Sequence, residues 1–202
     1  MDNPFNQSVV LLTVEEFEAI YGNYDERYEL IDGIPYMMAA PNTSHQSLIV
    51  FLTLKIGNFL SGKKCRVFVA PYDVFLNESP RDDKGKIKKN RRVKGTVVQP
   101  DLMVICDKNK IKPDGCHGAP DLIIEIASMS TKDKDRGIKF HKYFSSGVKE
   151  FWIIDADEQT GAVYNFNLAR KKAEVEPFTF DDKVKSHVLE GLEIDFTELD
   201  SE

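Results

Sequence analysis

Apolar positions along this chain recur at two spacings, and the switches between them mark out its elements. Over residues 44–60, Leu48, Ile49, Leu52, Ile56, Phe59 and Leu60 fall at helical intervals, and Gly62 closes the stretch. Thr13-Val14-Glu15-Glu16 has the form of a capped helix start, with Phe17 and Ile20 as its apolar face and Gly22 as its end. Ser130 and Asp133 open another helix, predicted to run to about Ser145 with Gly147 in the usual position after a C-terminus. Residues 27–31 and 34–38 flank Asp32-Gly33, which predicts a hairpin. Strands are predicted over 65–69 and 72–76. A second hairpin joins 151–154 to 162–166 around Gln159-Thr160-Gly161, and late strands are expected near 178–180 and 186–189.

Two further apolar runs each contain a carboxylate. Val97, Val98, Leu102, Met103, Val104 and Ile105 enclose Gln99-Pro100-Asp101, while Leu122, Ile123, Ile124, Ile126 and Ala127 enclose Glu125. Runs this continuous predict strands covered on both faces. The order helix, hairpin, helix, strands, helix, hairpin then predicts an α+β fold of the α/β-sandwich kind, with a mixed central sheet flanked by helices. With no Pro/Gly/Ser-rich linker and no internal repeat, residues 1–202 are expected to form one domain, with a basic loop inserted at about 80–96.

Removing an ionised carboxylate from water costs several kcal/mol unless a cation or hydrogen-bond donors compensate, so Asp101 and Glu125 need partners. Strand alternation gives Asp101 the face of Met103 and Ile105, and Glu125 the face of Ile123 and Ala127. On neighbouring strands the two carboxylates come within reach of one ion. Hard oxygen donors suit Mg2+ or Mn2+, and such an ion can lower the pKa of a bound water and polarise a phosphodiester.

Charge sharpens this picture. The chain carries a net charge of −6, yet Lys84, Lys86, Lys88, Lys89, Arg91, Arg92 and Lys94 stand together with no anion among them. Such a segment can grip several phosphates through counterion release, or can be a solvated loop; beside a metal site the nucleic-acid alternative is favoured. Cys65, Cys106 and Cys116 form an odd set without CxxC spacing, which fits reduced thiols rather than a disulfide framework. Cys116-His117 has no second pair at zinc spacing. The acidic, polar start Met1-Asp2-Asn3-Pro4 does not resemble a secretory signal, and no apolar run is long enough to span a membrane, so a cytoplasmic protein is expected.

The ordered segments Tyr28-Glu29-Leu30-Ile31-Asp32-Gly33, Ser44-His45, Gln99-Pro100-Asp101-Leu102, Glu125-Ile126-Ala127-Ser128, Asp135-Arg136-Gly137-Ile138-Lys139 and Gly147 through Asp155 resemble the Uma-two family of restriction-endonuclease-like proteins, within the PD-(D/E)XK nuclease superfamily. A lone Pro-Asp pair carries little weight, since Pro120-Asp121 is a second one here. The resemblance implies a restriction-endonuclease-like core in which Asp101 and Glu125 bind the metal. The superfamily pattern wants a lysine two residues after the acid, where this chain has Ala127; the resemblance puts Lys139 of the following helix in its place. On residues alone, an exposed Lys139 paired with Asp135 along the helix is the favoured reading. Glu29 matches an early family glutamate or is a solvent-facing strand residue. His45 matches a family histidine, where it could contact phosphate or water, or else caps or packs its helix. Asp73, on a neighbouring strand, ranks below Glu29 as a further metal ligand.

The function this implies is metal-dependent endonucleolytic hydrolysis, with DNA as the expected substrate and Mg2+ or Mn2+ as cofactor. Asp101, Glu125, Lys139, Glu29 and His45 would form the site, and a homodimer would make a double-strand cut. The competing class is an inactive nuclease-fold module that binds nucleic acid or a protein partner, as the lysine missing after Glu125 would allow. A metal-dependent acyl hydrolase is disfavoured by the lack of histidine-rich ligand spacing.

Overall fold

A computed structural model describes residues 11–76, 95–127, 135–169 and 171–199. The basic run from Lys84 to Lys94 and the helix-opening Ser130 and Asp133 lie outside the described residues. In chain order the elements begin with α1 (Val14–Tyr21), β1 (Tyr28–Ile31), β2 (Ile34–Met37), α2 (Thr43–Leu60), β3 (Arg66–Val69), β4 (Val74–Phe75) and β5 (Val97–Val98). There follow β6 (Leu102–Ile105), β7 (Ile111–Lys112), β8 (Gly115–His117), β9 (Leu122–Ala127), α3 (Phe140–Ser146), β10 (Glu150–Asp155), β11 (Thr160–Asn167), β12 (Lys172–Thr179), β13 (Lys183–Lys185) and β14 (Glu193–Asp195). Of the described residues, those within Met1–Met38 and Phe75–Val98 form one compact unit, and those within Ala39–Val74 and Gln99–Glu202 another.

In the first unit, α1 starts as its sequence predicts. The Thr13 hydroxyl accepts from the Glu16 amide at 3.2 Å, and the Glu16 carboxylate accepts from the Thr13 amide at 2.8 Å. β1 and β2 make the antiparallel hairpin around Asp32 and Gly33, whose φ values of 52° and 82° give the doubly left-handed turn that matches strand twist. Phe17, Leu30, Phe75 and Val97 are its core.

The second unit is built on a six-stranded mixed sheet in the order β12-β11-β10-β9-β6-β3, in which β9 and β10 run parallel and the other neighbours antiparallel. β9 and β10 are buried at every position, as expected for strands covered on both faces. One face packs under α2: Leu48, Leu52, Ile56 and Leu60 join Leu102, Val104, Leu122, Ile124, Ile126, Trp152 and Ile154 in one core. The other face carries Met103, Ile123, Glu125 and Phe151. There α3 lies with Tyr143 edge-on to Phe151 at 5.3 Å, while Phe140 packs against Phe151, Tyr164 and Phe166. The result is the expected α/β sandwich. No helix among the described residues is long and apolar enough to cross a membrane.

Several local expectations are corrected. The apolar run at 97–105 is broken: Val97-Val98 is β5 and Leu102–Ile105 is β6, with Pro100, which has no N–H to give a ladder, between them. β12 is far longer than expected, because its charged and exposed residues hide an edge strand from apolar periodicity. Residues 186–189 form no strand; the flanking segments Lys183–Lys185 and Glu193–Asp195 do. The β7–β8 hairpin was missed although Pro113-Asp114-Gly115 is a turn signal. Cys65 and Cys106 are joined in a disulfide rather than reduced, because the β3–β6 register, Arg66↔Ile105, sets them opposite each other. Cys116 is free and buried, and burial, with Asp121 adding to it and Lys110 opposing, pushes its thiol up to about 11.

Gly161 sits between Ile154 of β10 and Phe178 of β12. A Cβ there would lie 2.3 Å from Phe178 Cζ and 3.0 Å from the Ile153 carbonyl oxygen. Phe178 cannot retreat, since it is wedged against Trp152 and Phe196. Gly161→Ala is therefore expected to cost about 1–3 kcal/mol, the scale of overpacking. An unchanged urea midpoint would show that the ring has room to move.

Candidate active site

In the second unit the site candidates come from the residue just before β6, from β9, from the first turn of α2 and from the turn into α3. The β6–β9 register pairs Leu102 with Ile124, Met103 with Ile123 and Val104 with Leu122. One step beyond that register, Asp101 falls opposite Glu125. Asp101 Oδ2 accepts from the Ile126 amide at 2.8 Å, and His45 Nε2 stands 3.2 Å from the same oxygen. His45 lies in the first turn of α2. Its capping alternative falls to Asn42, whose side chain accepts from the His45 amide at 2.9 Å. The imidazole thus turns to Asp101, and its Nδ1 is buried with no hydrogen-bond partner among the described residues.

Glu125 is 3% exposed on β9. Its Oε1 accepts from Lys139 Nζ at 2.9 Å and from Tyr143 Oη at 2.5 Å. Lys139 is as buried as the acid, so the ion pair offsets the desolvation of both groups. Lys139 is therefore buried rather than the exposed lysine that the residues alone favour. Lys139 ends a segment of π-helix, Asp135–Lys139, that leads into α3, a wide turn often found at functional sites. Tyr143 was not among the predicted site residues, although its place four residues after Lys139 puts it on the same helical stripe.

Glu29 and Asp73 come from other segments. Glu29 belongs to the first unit, where it is 1% exposed and opposite Tyr36, so it is not a solvent-facing strand residue. Asp73 Oδ1 accepts from the Gln99 side chain at 2.8 Å. The Pro120-Asp121 pair is structural: Asp121 accepts from the Cys106 amide at 2.7 Å and from Lys149 Nζ at 2.6 Å. Asp155 ends β10 and accepts from the Glu158 amide. His117 pairs with Asp114 and His187 with Glu176. Lys84, Lys86, Lys88, Lys89, Arg91, Arg92 and Lys94 lie outside the described residues.

Among the described residues no group of three or more His, Cys, Asp or Glu side chains is arranged to hold a metal. Two carboxylates do fit Mg2+ or Mn2+, since Mg2+ is commonly held by one or two carboxylates with water and substrate oxygens filling its octahedron.

The sequence model of the Uma2 family, described as "Putative restriction endonuclease", matches residues 14–197. The chain is 28% identical over 143 residues, 71% of its length and 67% of the other's, to the uncharacterized protein slr1290 of Synechocystis sp. (strain ATCC 27184 / PCC 6803 / Kazusa). Its fold is similar to the crystal structure of a putative nuclease belonging to DUF820 from Anabaena variabilis ATCC 29413, with a TM-score of 0.70 over 94% of this chain and 98% of that one, at 20% identity.

Proposed function

This chain belongs to the Uma2 family of putative restriction endonucleases, and from that premise we propose that it is a Mg2+- or Mn2+-dependent endonuclease that hydrolyses phosphodiester bonds in DNA. The observation that carries the proposal is the pair of carboxylates, Asp101 and Glu125, brought opposite each other by the β6–β9 register with a buried lysine on one of them. Asp101 and Glu125 would hold the ion. A bound ion of this kind acts as a Lewis acid on the phosphodiester and lowers the pKa of water. The Ile126 amide and His45 hold Asp101 in place, and Lys139 sets a positive charge beside Glu125 where negative charge develops on the phosphate.

The seven cations of Lys84 to Lys94 would bind the backbone of the nucleic acid, which gives affinity without sequence readout. One such centre per chain cuts one strand, so a double-strand break takes two copies, most simply as a symmetric dimer.

The test is incubation of the purified full chain with supercoiled, linear and single-stranded DNA, and with RNA, in EDTA, Mg2+ or Mn2+. DNA cleavage that appears with either metal and disappears in EDTA is the expected result. Cleavage that persists in EDTA overturns the metal dependence. Salt-sensitive binding without cleavage would identify an inactive nucleic-acid-binding module instead.

A further inference from the structure

Tyr143 is fully buried, and its ring packs edge-on against Phe151. A phenylalanine would make that ring contact equally well. What the tyrosine adds is one hydroxyl, and a buried phenol must find a partner. Its partner is Glu125 Oε1, the same oxygen that receives Lys139 Nζ. Two donors from successive turns of one helical stripe therefore converge on one carboxylate oxygen.

This convergence has a geometric effect that a single ion pair lacks. The last torsion of a glutamate joins sp3 to sp2 carbon and has a broad, weakly preferred minimum. One ammonium donor fixes the position of Oε1 but leaves the carboxylate plane to turn about it. A second donor, arriving from the phenol, restrains that turn. Asp101 is handled in the same way, with the Ile126 amide and His45 Nε2 both at Oδ2.

We propose that Tyr143 is a positioning residue for the metal-binding carboxylate: its hydroxyl, with Lys139, sets the plane in which Glu125 meets a divalent cation. The inference rests on the metal site proposed above and adds to it a residue that touches neither metal nor substrate. Outer partners of metal ligands typically contribute 10–100-fold to metal affinity.

The experiment is Mn2+ titration of the full chain by calorimetry and by the electron paramagnetic resonance signal of free Mn2+. The parent would be compared with Asp101→Asn, Tyr143→Phe and Phe144→Leu. Phe144 packs against Phe166 from the same helix, so its substitution reports a packing change in α3 that keeps the Tyr143 hydroxyl. The expected result is Mn2+ binding that is roughly 10–100-fold weaker in Tyr143→Phe and unchanged in Phe144→Leu. Equal Mn2+ affinity in the parent and Tyr143→Phe overturns this inference and leaves the metal site standing. Equal weakening in Tyr143→Phe and Phe144→Leu also overturns it, since the effect would then come from helix packing. A Tyr143→Phe chain that does not fold overturns it as well, by making the hydroxyl a requirement of the fold. Mn2+ binding that is absent from the parent, or untouched in Asp101→Asn, overturns both the site and the inference.

Discussion

Asp101→Asn and Glu125→Gln are each expected to lose metal-dependent DNA cleavage by more than the roughly 10–100-fold that an outer partner of a metal site is worth. They should also erase the thermal stabilisation that Mn2+ gives the parent. At a hundred times Kd that stabilisation is about 2.7 kcal/mol, or roughly 5–11 °C for a chain of this size. The two substitutions differ in the absence of metal. Asn at 101 keeps an oxygen for the Ile126 amide and sits at a partly exposed position, so the metal-free fold should barely weaken. Gln at 125 removes the charge that pairs with the buried Lys139 ammonium, and breaking a buried pair from one side costs about 3–5 kcal/mol. Melting curves with and without Mn2+ separate these outcomes, and a metal shift that survives Asp101→Asn would place the ion elsewhere.

Glu150→Leu is expected to destabilise the second unit by at least about 2 kcal/mol, because it strands two buried donors, at about 1–3 kcal/mol each, and a half-buried third. Glu150 is fully buried at the start of β10. Its Oε1 accepts from the Trp152 indole, and its Oε2 accepts from the Ser186 hydroxyl at 2.9 Å and the Val188 amide at 2.7 Å. The Ser186 oxygen accepts in turn from the Leu189 amide. The carboxylate thus ties the irregular segment after β13 to the central strand. Trp152→Phe removes one donor and should cost the least, Glu150→Gln an intermediate amount, and Glu150→Leu the most. Urea unfolding followed by far-ultraviolet circular dichroism would give that order; equal midpoints for all three would make the hub dispensable.

These three carboxylates show what the sequence can and cannot display. Asp101 and Glu125 stand out because a charge inside a continuous apolar run is costly wherever the run is buried. Glu150 precedes its run, Phe151-Trp152-Ile153-Ile154, and so passes for a strand edge until its donors are seen. Helices α1 and α2, the first hairpin and Gly147 at φ 95° follow from local signals of caps, periodicity and turn residues. The disulfide and the contact of His45 with Asp101 depend instead on strand register and on where α2 begins relative to the sheet. Those are tertiary facts with no short-range signature. Lys139 was reached only through family resemblance, since on a helix alone its nearest anion is Asp135. Tyr143 had the right spacing but an aromatic side chain that reads as core, and it is both core and polar partner.

The position of the lysine has a consequence for control. A lysine at position 127 would lie on the strand that carries Glu125, and sheet hydrogen bonds alone would fix its distance from the acid. Here position 127 is alanine, and the ammonium comes from the turn leading into a helix held by Phe140, Phe151, Tyr164 and Phe166. The charge constellation is therefore only as well assembled as that aromatic seat. A binding partner, a mutation or a temperature rise that lifts α3 would draw the ammonium away from Glu125 while leaving β6 and β9 intact, so the docking of one short helix is the safety catch on that charge pair.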